Sequence, residues 1–302
     1  MPSGPRVGFI GLGVMGLPMA RHLRANGFTV AGWARRGETV ARAGAAGLEM
    51  RSSPAAVASD ADFVVTMVTT STDVEDLALG TGGVLAAMPR GSILVDMSTV
   101  APATSRRLHS EAERAGVGFL DAPVSGGSHG AEAGTLSIMV GGEVHIFERC
   151  RALFSAMGAP ERLFHVGPAG SGQVVKLVNN MLVGAISAAT MEALLVGVRA
   201  GVPLATLVEV VSVSSGASAQ LSGQMSLRGL SGNFEPGFAT DLLAKDLRLA
   251  AELAAEVGAE TRFNDLAIEL FSALQDAGHG RADYTALLRQ LDVGLDPPPR
   301  LA

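Results

Sequence analysis

The first half of the chain alternates short apolar runs with amphipathic stretches. Runs of strand length occur at RVGFI, FTVAGW, DADFVVTMV, SILVDMS, GVGFLDAPV and TLSIMVGG. Segments with helical spacing separate most of them, for example Met15, Met19 and Leu23 after the first run. Near-continuous apolar strands that alternate with helices are typical of a parallel sheet covered on both faces. The pattern predicts an α/β fold with an open, doubly wound sheet of the Rossmann type.

The second half has a different pattern. Beyond about residue 165, apolar positions recur at helical spacing over 170–200, 203–213, 241–257 and 263–277. We therefore predict a Rossmann-type nucleotide-binding domain over 1–165 and an all-α domain over 166–302, joined by the long helix at 170–200. Consecutive prolines cannot continue a helix, so the tail at 296–302 is predicted to be disordered.

Composition narrows the class of protein. Of 302 residues, 48% are hydrophobic and 17% charged, which is a globular balance. A net charge of -6 argues against nucleic-acid binding. Cys150 is the only cysteine, so no intrachain disulfide and no multi-cysteine metal site are expected, and no metal-binding residue is predicted. The amino terminus lacks a signal-peptide pattern, and the apolar runs break before the roughly 20 residues of a membrane span. We expect a cytoplasmic protein with no membrane partner.

A glycine-rich motif follows the first apolar run. In GFIGLGVMG the glycines have the spacing GxGxxG, and the motif lies between a predicted strand and a predicted helix. Gly11 would allow the tight turn, Gly13 the approach of a pyrophosphate, and Gly16 close packing of helix on strand. Phosphates would then bind at the helix amino terminus. The alternative is a tight turn in another kind of α/β protein. The predicted cofactor contacts are Gly11, Leu12, Gly13, Val14, Met15 and Gly16.

The end of the second strand bears on the choice of cofactor. An NAD site usually has an acidic residue there, whereas this chain has Arg35 and Arg36. Guanidinium groups make charge-assisted bonds to phosphate, so the pair suits the 2′-phosphate of NADP. The alternative is a solvated basic start to the next helix. We predict NADP as the preferred cofactor over NAD.

Five motifs in order resemble the β-hydroxyacid dehydrogenase family, which includes 3-hydroxyisobutyrate dehydrogenase, tartronate semialdehyde reductase and glyoxylate/succinic semialdehyde reductases. The motifs are FIGLGVMGLPMARHL from Phe9, DMSTVAPATSRRL from Asp96, DAPVSGGSHGAEAGTLSIMVGG from Asp121, GSGQVVKLVNN from Gly170 and KDLRLA from Lys245. The resemblance implies a dinucleotide-binding domain, a long interdomain helix and a helical domain that also resembles the one in 6-phosphogluconate dehydrogenase.

The resemblance implies a role for three loops. Ser125, Gly126 and Gly127 would hold the substrate carboxylate, as a glycine-rich turn can form an anion-binding concavity. Thr99 would approach the nicotinamide, although Ser98 and Thr99 could instead cap the next helix. The segment TMVTTSTD resembles a cofactor-binding turn in which Val68 and Thr69 replace the family's Leu-Pro. Val68, Thr69 and Asp73 are the predicted contacts there.

Two lysines and an asparagine complete the implied site. Lys176 and Asn180 are four residues apart on a predicted helix and therefore share a face. By resemblance, Lys176 is the catalytic acid/base, Asn180 orients the substrate, and Lys245 lies near the nicotinamide. The alternative for Lys176 is a surface lysine. For Asp246 we expect a local capping or pairing role.

The resemblance implies reversible reduction of a short aldehyde acid to a 3- or 4-hydroxy acid by an NAD(P)-dependent enzyme. The substrate would be a small carboxylate, and family members form homodimers or homotetramers. Two alternatives remain: an NADPH-dependent enzyme of the imine reductase type, and a catalytically weak cofactor-binding oligomeric module. Lys176 argues against both.

Overall fold

The computed structural model describes residues 4–223, 232 and 234–291. The chain divides into two compact units, Met1–Lys176 and Leu177–Ala302. The tail predicted to be disordered, 296–302, lies outside the described residues.

The first unit is built on a nine-stranded sheet. Its strands are β1 (Arg6–Ile10), β2 (Thr29–Trp33), β3 (Glu49–Met50), β4 (Phe63–Thr66), β5 (Ile93–Asp96), β6 (Gly118–Asp121), β7 (Val124–Ser125), β8 (Leu136–Gly142) and β9 (Gly158–Gly167). The order is β3-β2-β1-β4-β5-β6-β8-β7, with β9 beside β8. The first six strands are parallel and have the order typical of a dinucleotide-binding sheet.

Eight helices connect the strands. They are α1 (Gly16–Ala25), α2 (Gly37–Ala45), α3 (Pro54–Ala58), α4 (Ser71–Leu79), α5 (Val84–Ala87), α6 (Pro102–Ala115), α7 (Gly127–Ala133) and α8 (Val144–Met157). Successive strand residues enter different cores: Ile93 and Val95 pack in one apolar cluster and Leu94 in the other. Both faces of the sheet are therefore covered, which explains why the strands are apolar throughout rather than alternating.

The sheet differs from the expected parallel one at one edge. Strand β8 runs antiparallel to both β6 and β7. Strand β9 then pairs with β8 in parallel. The apolar pattern of the chain does not reveal β9, since this strand contains charged and exposed positions such as Glu161 and Arg162. An edge strand is partly exposed to solvent, so its sequence is less uniformly apolar than that of a central strand.

The second unit is helical. Helix α9 (Ser171–Arg199) begins in the first unit and continues into the second. It is followed by α10 (Leu204–Ser212), α11 (Thr240–Glu256), α12 (Arg262–Leu274) and α13 (Leu287–Leu291). Their core includes Met191, Leu247, Phe271 and Tyr284. The observed architecture confirms the predicted class, a Rossmann-type sheet followed by an all-α region.

Helix α9 bears on the expected absence of a membrane span. Its 29 residues reach a mean hydropathy of 1.9 over 18 residues, so among the described helices it alone could span a membrane by length and composition. Polar residues interrupt its apolar runs as the sequence predicts, among them Lys176, Asn179 and Asn180. One such helix is weak support for a membrane span, because core helices of soluble proteins have the same composition.

Asp96 is a buried carboxylate at the carboxyl end of β5. Its side chain is fully inaccessible, and Oδ1 accepts hydrogen bonds from the Thr66 hydroxyl at 2.8 Å and from the Ser98 amide at 3.1 Å. Burial raises the pKa of Asp96 to about 6, although the bonds from Ser98 and Thr66 oppose the shift. The negative charge of Asp121 on the adjacent strand adds to the rise.

We expect Asp96 to make folding stability depend on pH. Because its pKa is raised on folding, the native state holds a proton between about pH 4 and 6 that the unfolded chain releases. Its contribution to stability therefore falls as pH rises through this window and is constant above it. A shift of about two units corresponds to about 3 kcal/mol. Between pH 4 and 7, the unfolding free energy of Asp96→Asn should increase by about this much relative to that of wild type. Urea unfolding measures this difference.

The control for this series is Asp60→Asn, which removes an exposed carboxylate. Its unfolding free energy should parallel that of wild type across the same pH range. Parallel curves for Asp96→Asn and wild type would contradict the expected linkage.

Candidate active site

The glycine-rich turn between β1 and α1 has the geometry of a phosphate cradle. Gly11 has a φ of 98°, and a Cβ there would collide with the Met67 carbonyl oxygen. A Cβ on Gly16 would collide with the Gly11 carbonyl oxygen. By contrast, a Cβ on Gly13 would meet nothing within 4 Å. The first and third glycines are thus required by the fold itself, and the open space at Gly13 fits the approach of a dinucleotide phosphate.

The other residues of this turn differ in what they can offer a cofactor. Leu12 is fully buried in the core, so only its backbone can contact a ligand. Val14 is 66% exposed. Met15 occupies the N-cap position of α1 and makes no side-chain capping bond. The first-turn N–H groups of α1 therefore have no side-chain cap from that residue, which fits an anion at this helix end.

The two arginines after β2 lie on the surface, with side chains 80% and 70% exposed for Arg35 and Arg36. Arg35 is paired with Asp73 at 3.4 Å, and Arg36 lies 3.8 Å from Glu38. Asp73 was itself a predicted cofactor contact. Its amide and carboxylate also bond to the Thr70 hydroxyl, which caps α4. The structure therefore brings Arg35 and Asp73 together, with opposite charges.

A hydrogen bond connects the loops that follow β4 and β5. The Val68 amide donates a hydrogen bond to the Ser98 hydroxyl at 3.0 Å. Thr69 is exposed and Thr99 half-buried in these loops. The alternative capping role for Ser98 and Thr99 is wrong, because Ala101 is the N-cap of α6. Ser98 instead joins the two loops that carry the predicted cofactor contacts.

The Ser125–Gly127 loop has an unusual backbone. Ser125 ends β7, and the next two residues have positive φ values of 132° for Gly126 and 58° for Gly127. Gly127 then begins α7. These conformations favour glycine, and a turn of this kind can direct consecutive N–H groups to one side. The loop geometry is compatible with carboxylate binding.

The amino terminus of α9 is held by one carboxylate. Asp121, fully buried at the end of β6, accepts hydrogen bonds from the Gly170 amide at 2.7 Å and the Gln173 amide at 3.0 Å. Burial raises its pKa, although these backbone bonds oppose the shift. The close approach requires Gly172, where a Cβ would lie 2.8 Å from the Asp121 carbonyl oxygen. Three residues beyond Gln173, Lys176 is only 8% exposed, which rules out the alternative of a surface lysine.

Within the second unit, Asn180 belongs to a buried polar cluster. Its Nδ2 donates to Asp246 Oδ2 at 2.6 Å, and its Oδ1 accepts from Asn179 at 3.0 Å. The other carboxylate oxygen of Asp246 lies 2.9 Å from the Lys245 ammonium. Since α9 is continuous, Asn180 lies one turn beyond Lys176 along that helix.

Sequence reasoning missed three residues that organise these elements. Asp121 and Gln173 lie inside quoted motifs but received no role. Asp246 was expected to pair locally, and it does pair with Lys245, but it also bonds Asn180, which is 66 residues away in sequence. A buried acid beside a lysine was the available signal for Asp246. No sequence signal identifies the partners of Asp121 or Gln173, because those contacts are made through backbone groups.

Two models of known protein families match successive parts of the chain. The family model of the NAD binding domain of 6-phosphogluconate dehydrogenase matches residues 6–167. The model described as the NAD-binding of NADP-dependent 3-hydroxyisobutyrate dehydrogenase matches residues 170–291. The two models together cover almost the whole described chain.

Known proteins of similar sequence match this chain over nearly the full length of both. The chain is 38% identical to 2-(hydroxymethyl)glutarate dehydrogenase of Eubacterium barkeri, over 96% of this chain and 95% of that one. It is 37% identical to NAD-dependent L-serine dehydrogenase of Pseudomonas aeruginosa, over 95% and 98%. The solved structure of Mycobacterium tuberculosis 3-hydroxyisobutyrate dehydrogenase with L-serine is 32% identical, with a TM-score of 0.88 over 96% and 99%. The chain therefore belongs to the β-hydroxyacid dehydrogenase family and is an NAD(P)-dependent oxidoreductase acting on CH–OH groups.

Proposed function

We propose that this enzyme reversibly oxidises a small 3-hydroxy acid to the semialdehyde, with Lys176 as general acid/base and NADP as the preferred cofactor. The observation that carries the proposal is the buried Lys176 on α9. Both the glycine cradle and the Ser125–Gly127 loop lie in the same unit as this lysine.

The lysine content of the chain supports this role. Of 23 lysines and arginines only two are lysines, Lys176 and Lys245. Arginine keeps its proton at every physiological pH and cannot act as a base, whereas an amine can donate and accept a proton. The chain thus uses guanidinium groups for every other basic position and has amines only in the two motifs that the family resemblance links to the site.

The chemistry requires one proton acceptor. Bound NADP supplies the hydride acceptor. In the oxidising direction the neutral amine of Lys176 takes the hydroxyl proton as the carbon loses hydride, and a carbonyl forms. In the reducing direction its ammonium stabilises the charge on the carbonyl oxygen and returns the proton. The backbone N–H groups of Ser125–Gly127 would hold the carboxylate, and Asn180 would orient the reacting end.

The names of the relatives favour a substrate class. 2-(Hydroxymethyl)glutarate, L-serine and 3-hydroxyisobutyrate each have a primary hydroxyl on the carbon next to the one that bears a carboxylate. They differ only in the substituent on that middle carbon. We therefore propose a 3-hydroxy acid with a substituent at C2 in preference to a 4-hydroxy acid.

Lys176→Ala should lower kcat/KM by about 10²–10⁴-fold, the usual size of an acid–base contribution. The affinity for NADPH, measured by fluorescence titration, should stay near wild type. Lys176→Arg should also be inactive near neutral pH, as it keeps the charge without a removable proton. Small primary amines added to Lys176→Ala should restore part of the activity.

The matched control is Arg199→Ala, which also replaces a basic residue of α9 by alanine, but at an exposed position at the other end of the helix. The panel should contain 3-hydroxyisobutyrate, L-serine, 2-(hydroxymethyl)glutarate, glycerate, succinic semialdehyde and glyoxylate with both cofactors. Wild-type turnover by Lys176→Ala would remove the lysine from the mechanism.

The Arg35–Asp73 pair bears on cofactor preference. A 2′-phosphate at Arg35 would gain a charge-assisted contact but would also face the Asp73 carboxylate. Arg35→Ala should raise the KM for NADPH by roughly tenfold to a hundredfold, since such a contact contributes about 1.5–3 kcal/mol. Asp73→Asn should lower the KM for NADPH by up to about fivefold, because an exposed ion pair contributes at most about 1 kcal/mol. Neither change should alter the KM for NADH comparably.

Arg6→Ala is the control, because Arg6 is also an exposed, ion-paired arginine but begins β1 at the opposite end of the strand from Gly11. Equal effects of Arg35→Ala on both cofactors would make this arginine structural and would remove the basis for NADP preference.

We further propose a soluble, cytoplasmic homodimer or homotetramer whose copies meet along α9. Only 28% of the most apolar part of this helix is buried. Five of the exposed residues of α9 form a stripe at helical spacing, and the exposed Glu192 lies beside it. The five are Val178, Leu182, Ala189, Ala193 and Val196. A one-sided stripe of apolar and small residues fits a second copy of itself better than lipid, which would surround the helix.

Sedimentation velocity should therefore give a dimer or tetramer for the wild-type protein. The double variant Ala189→Glu/Val196→Glu should shift it toward monomer, because the charges would be buried in the contact. The control Val213→Glu, at an exposed position outside α9, should leave the mass unchanged. A monomeric wild-type protein would contradict the proposed assembly.

A further inference from the structure

The buried side chain of Gln173 bridges the catalytic helix and a cofactor loop. We infer that Gln173 is a positioning residue that sets the Thr99 loop against α9 and thereby controls hydride transfer rather than cofactor binding. The inference rests on the proposed role of Lys176 and on the predicted nicotinamide contact of Thr99.

The two ends of the Gln173 amide bond to backbone groups on either side of Thr99. Its Oε1 accepts from the Val100 amide at 3.1 Å, and its Nε2 donates to the Ser98 carbonyl oxygen at 3.0 Å. Gln173, Ser98 and Val100 are all fully buried, so water cannot replace the Gln173 amide as the partner of either backbone group. A donor and an acceptor side by side are needed here, and among uncharged side chains of this length only glutamine provides both.

The backbone of Gln173 is fixed independently. Its N–H donates to Asp121, which also accepts from Gly170, so the first turn of α9 is already anchored to β6. Strand β6 leads through two residues to β7 and the Ser125–Gly127 loop. The side chain of Gln173 is therefore not needed to hold the helix on the sheet.

What the side chain adds is a link to the cofactor loops. Ser98, whose carbonyl oxygen it binds, also accepts from the Val68 amide and donates its own amide to Asp96. Through Ser98, the loops after β4 and β5 are connected to a residue one turn before Lys176. The buried amide of Gln173 thus connects the loop of Thr99, the predicted nicotinamide contact, with the helix that carries Lys176.

Hydride and proton transfer both depend on close alignment, and a displacement of about 1 Å can cost about a hundredfold in rate. Loss of the Gln173 amide would leave the Val100 N–H and the Ser98 carbonyl without this partner, and the loop would shift to find others. The hydrogen bonds of Gln173 go to Asp121, Ser98 and Val100, whereas the phosphates would bind at the glycine cradle and Arg35. The rate should therefore fall while cofactor affinity persists.

The test compares Gln173→Met, which keeps the length and loses the amide, with wild type. The probe is the hydroxy acid of the panel above that the wild-type enzyme oxidises best, deuterated at the carbinol carbon. We expect kcat to fall about 10- to 100-fold, the KM for NADP to change less than about threefold, and the deuterium isotope effect on kcat to rise. Gln173→Glu, with two acceptors when ionised, should show the same pattern. Hydrogen exchange should show faster exchange of the Val100 amide in Gln173→Met.

The matched control is Val174→Ala, which truncates a half-buried neighbour on the same turn without touching the amide bonds. It should lower the melting temperature with little change in the isotope effect. An unchanged kcat, an unchanged isotope effect, or a loss that Val174→Ala reproduces would overturn the inference.

The experiments distinguish failure of the inference about Gln173 from failure of the proposed function. A Gln173→Met enzyme with wild-type kinetics overturns the positioning role and leaves Lys176 untouched. A Lys176→Ala enzyme with wild-type turnover overturns the proposed mechanism. If no panel substrate is turned over, the proposed substrate class fails, and unchanged Val100 amide exchange in Gln173→Met would still overturn the bridge itself.

Discussion

The site depends on a single buried carboxylate, that of Asp121. The first N–H groups of a helix have no partner within the helix, and α9 begins inside the protein, where water cannot supply one. Asp121 satisfies two of them with one side chain, and its negative charge lies at the positive end of the helix dipole. Burial opposes this arrangement by raising the pKa of the carboxyl, so the hydrogen bonds must offset the desolvation. The start and direction of the lysine-bearing helix follow from this contact.

Polar groups elsewhere in the molecule follow the same rule that a buried polar atom needs a defined partner. Asn180 illustrates it in the helical unit. Its amide donates to Asp246 and accepts from Asn179, which determines which way the amide faces and leaves further hydrogen-bonding capacity for a ligand. Asp246 in turn pairs with Lys245. An amide proposed to orient a substrate must itself be oriented, and here a carboxylate from another helix holds the Asn180 amide.

The cofactor end of the sheet combines rigid and adjustable parts. The glycine turn is constrained by close backbone contacts at Gly11 and Gly16, which leave one permitted course for the chain. The arginines after β2 are exposed and held only by surface ion pairs. Surface pairs contribute little to folding, so their charges can be rearranged when a phosphate arrives. The course of the glycine turn is thus a property of the fold, whereas the proposed choice between NAD and NADP would depend on a few solvated charges.

The sequence by itself indicated five of the six parallel strands, most of the helices between them, the glycine turn, the helical second half and the family. These features depend on local periodicity and on residue types whose requirements are local. It also indicated Lys176, because that lysine lies in an apolar helix within a recognisable motif. Only the tertiary structure decided that β8 reverses, that β9 extends the sheet edge, that Arg35 meets Asp73, and that Gln173 and Asp121 join distant segments. The strand pairings join backbone to backbone, Arg35 and Asp73 are 38 residues apart, and Gln173 and Asp121 pair their side chains with backbone groups far away in sequence. Backbone N–H and C=O groups are present at nearly every residue, so no pattern of residue types can reveal which of them will meet.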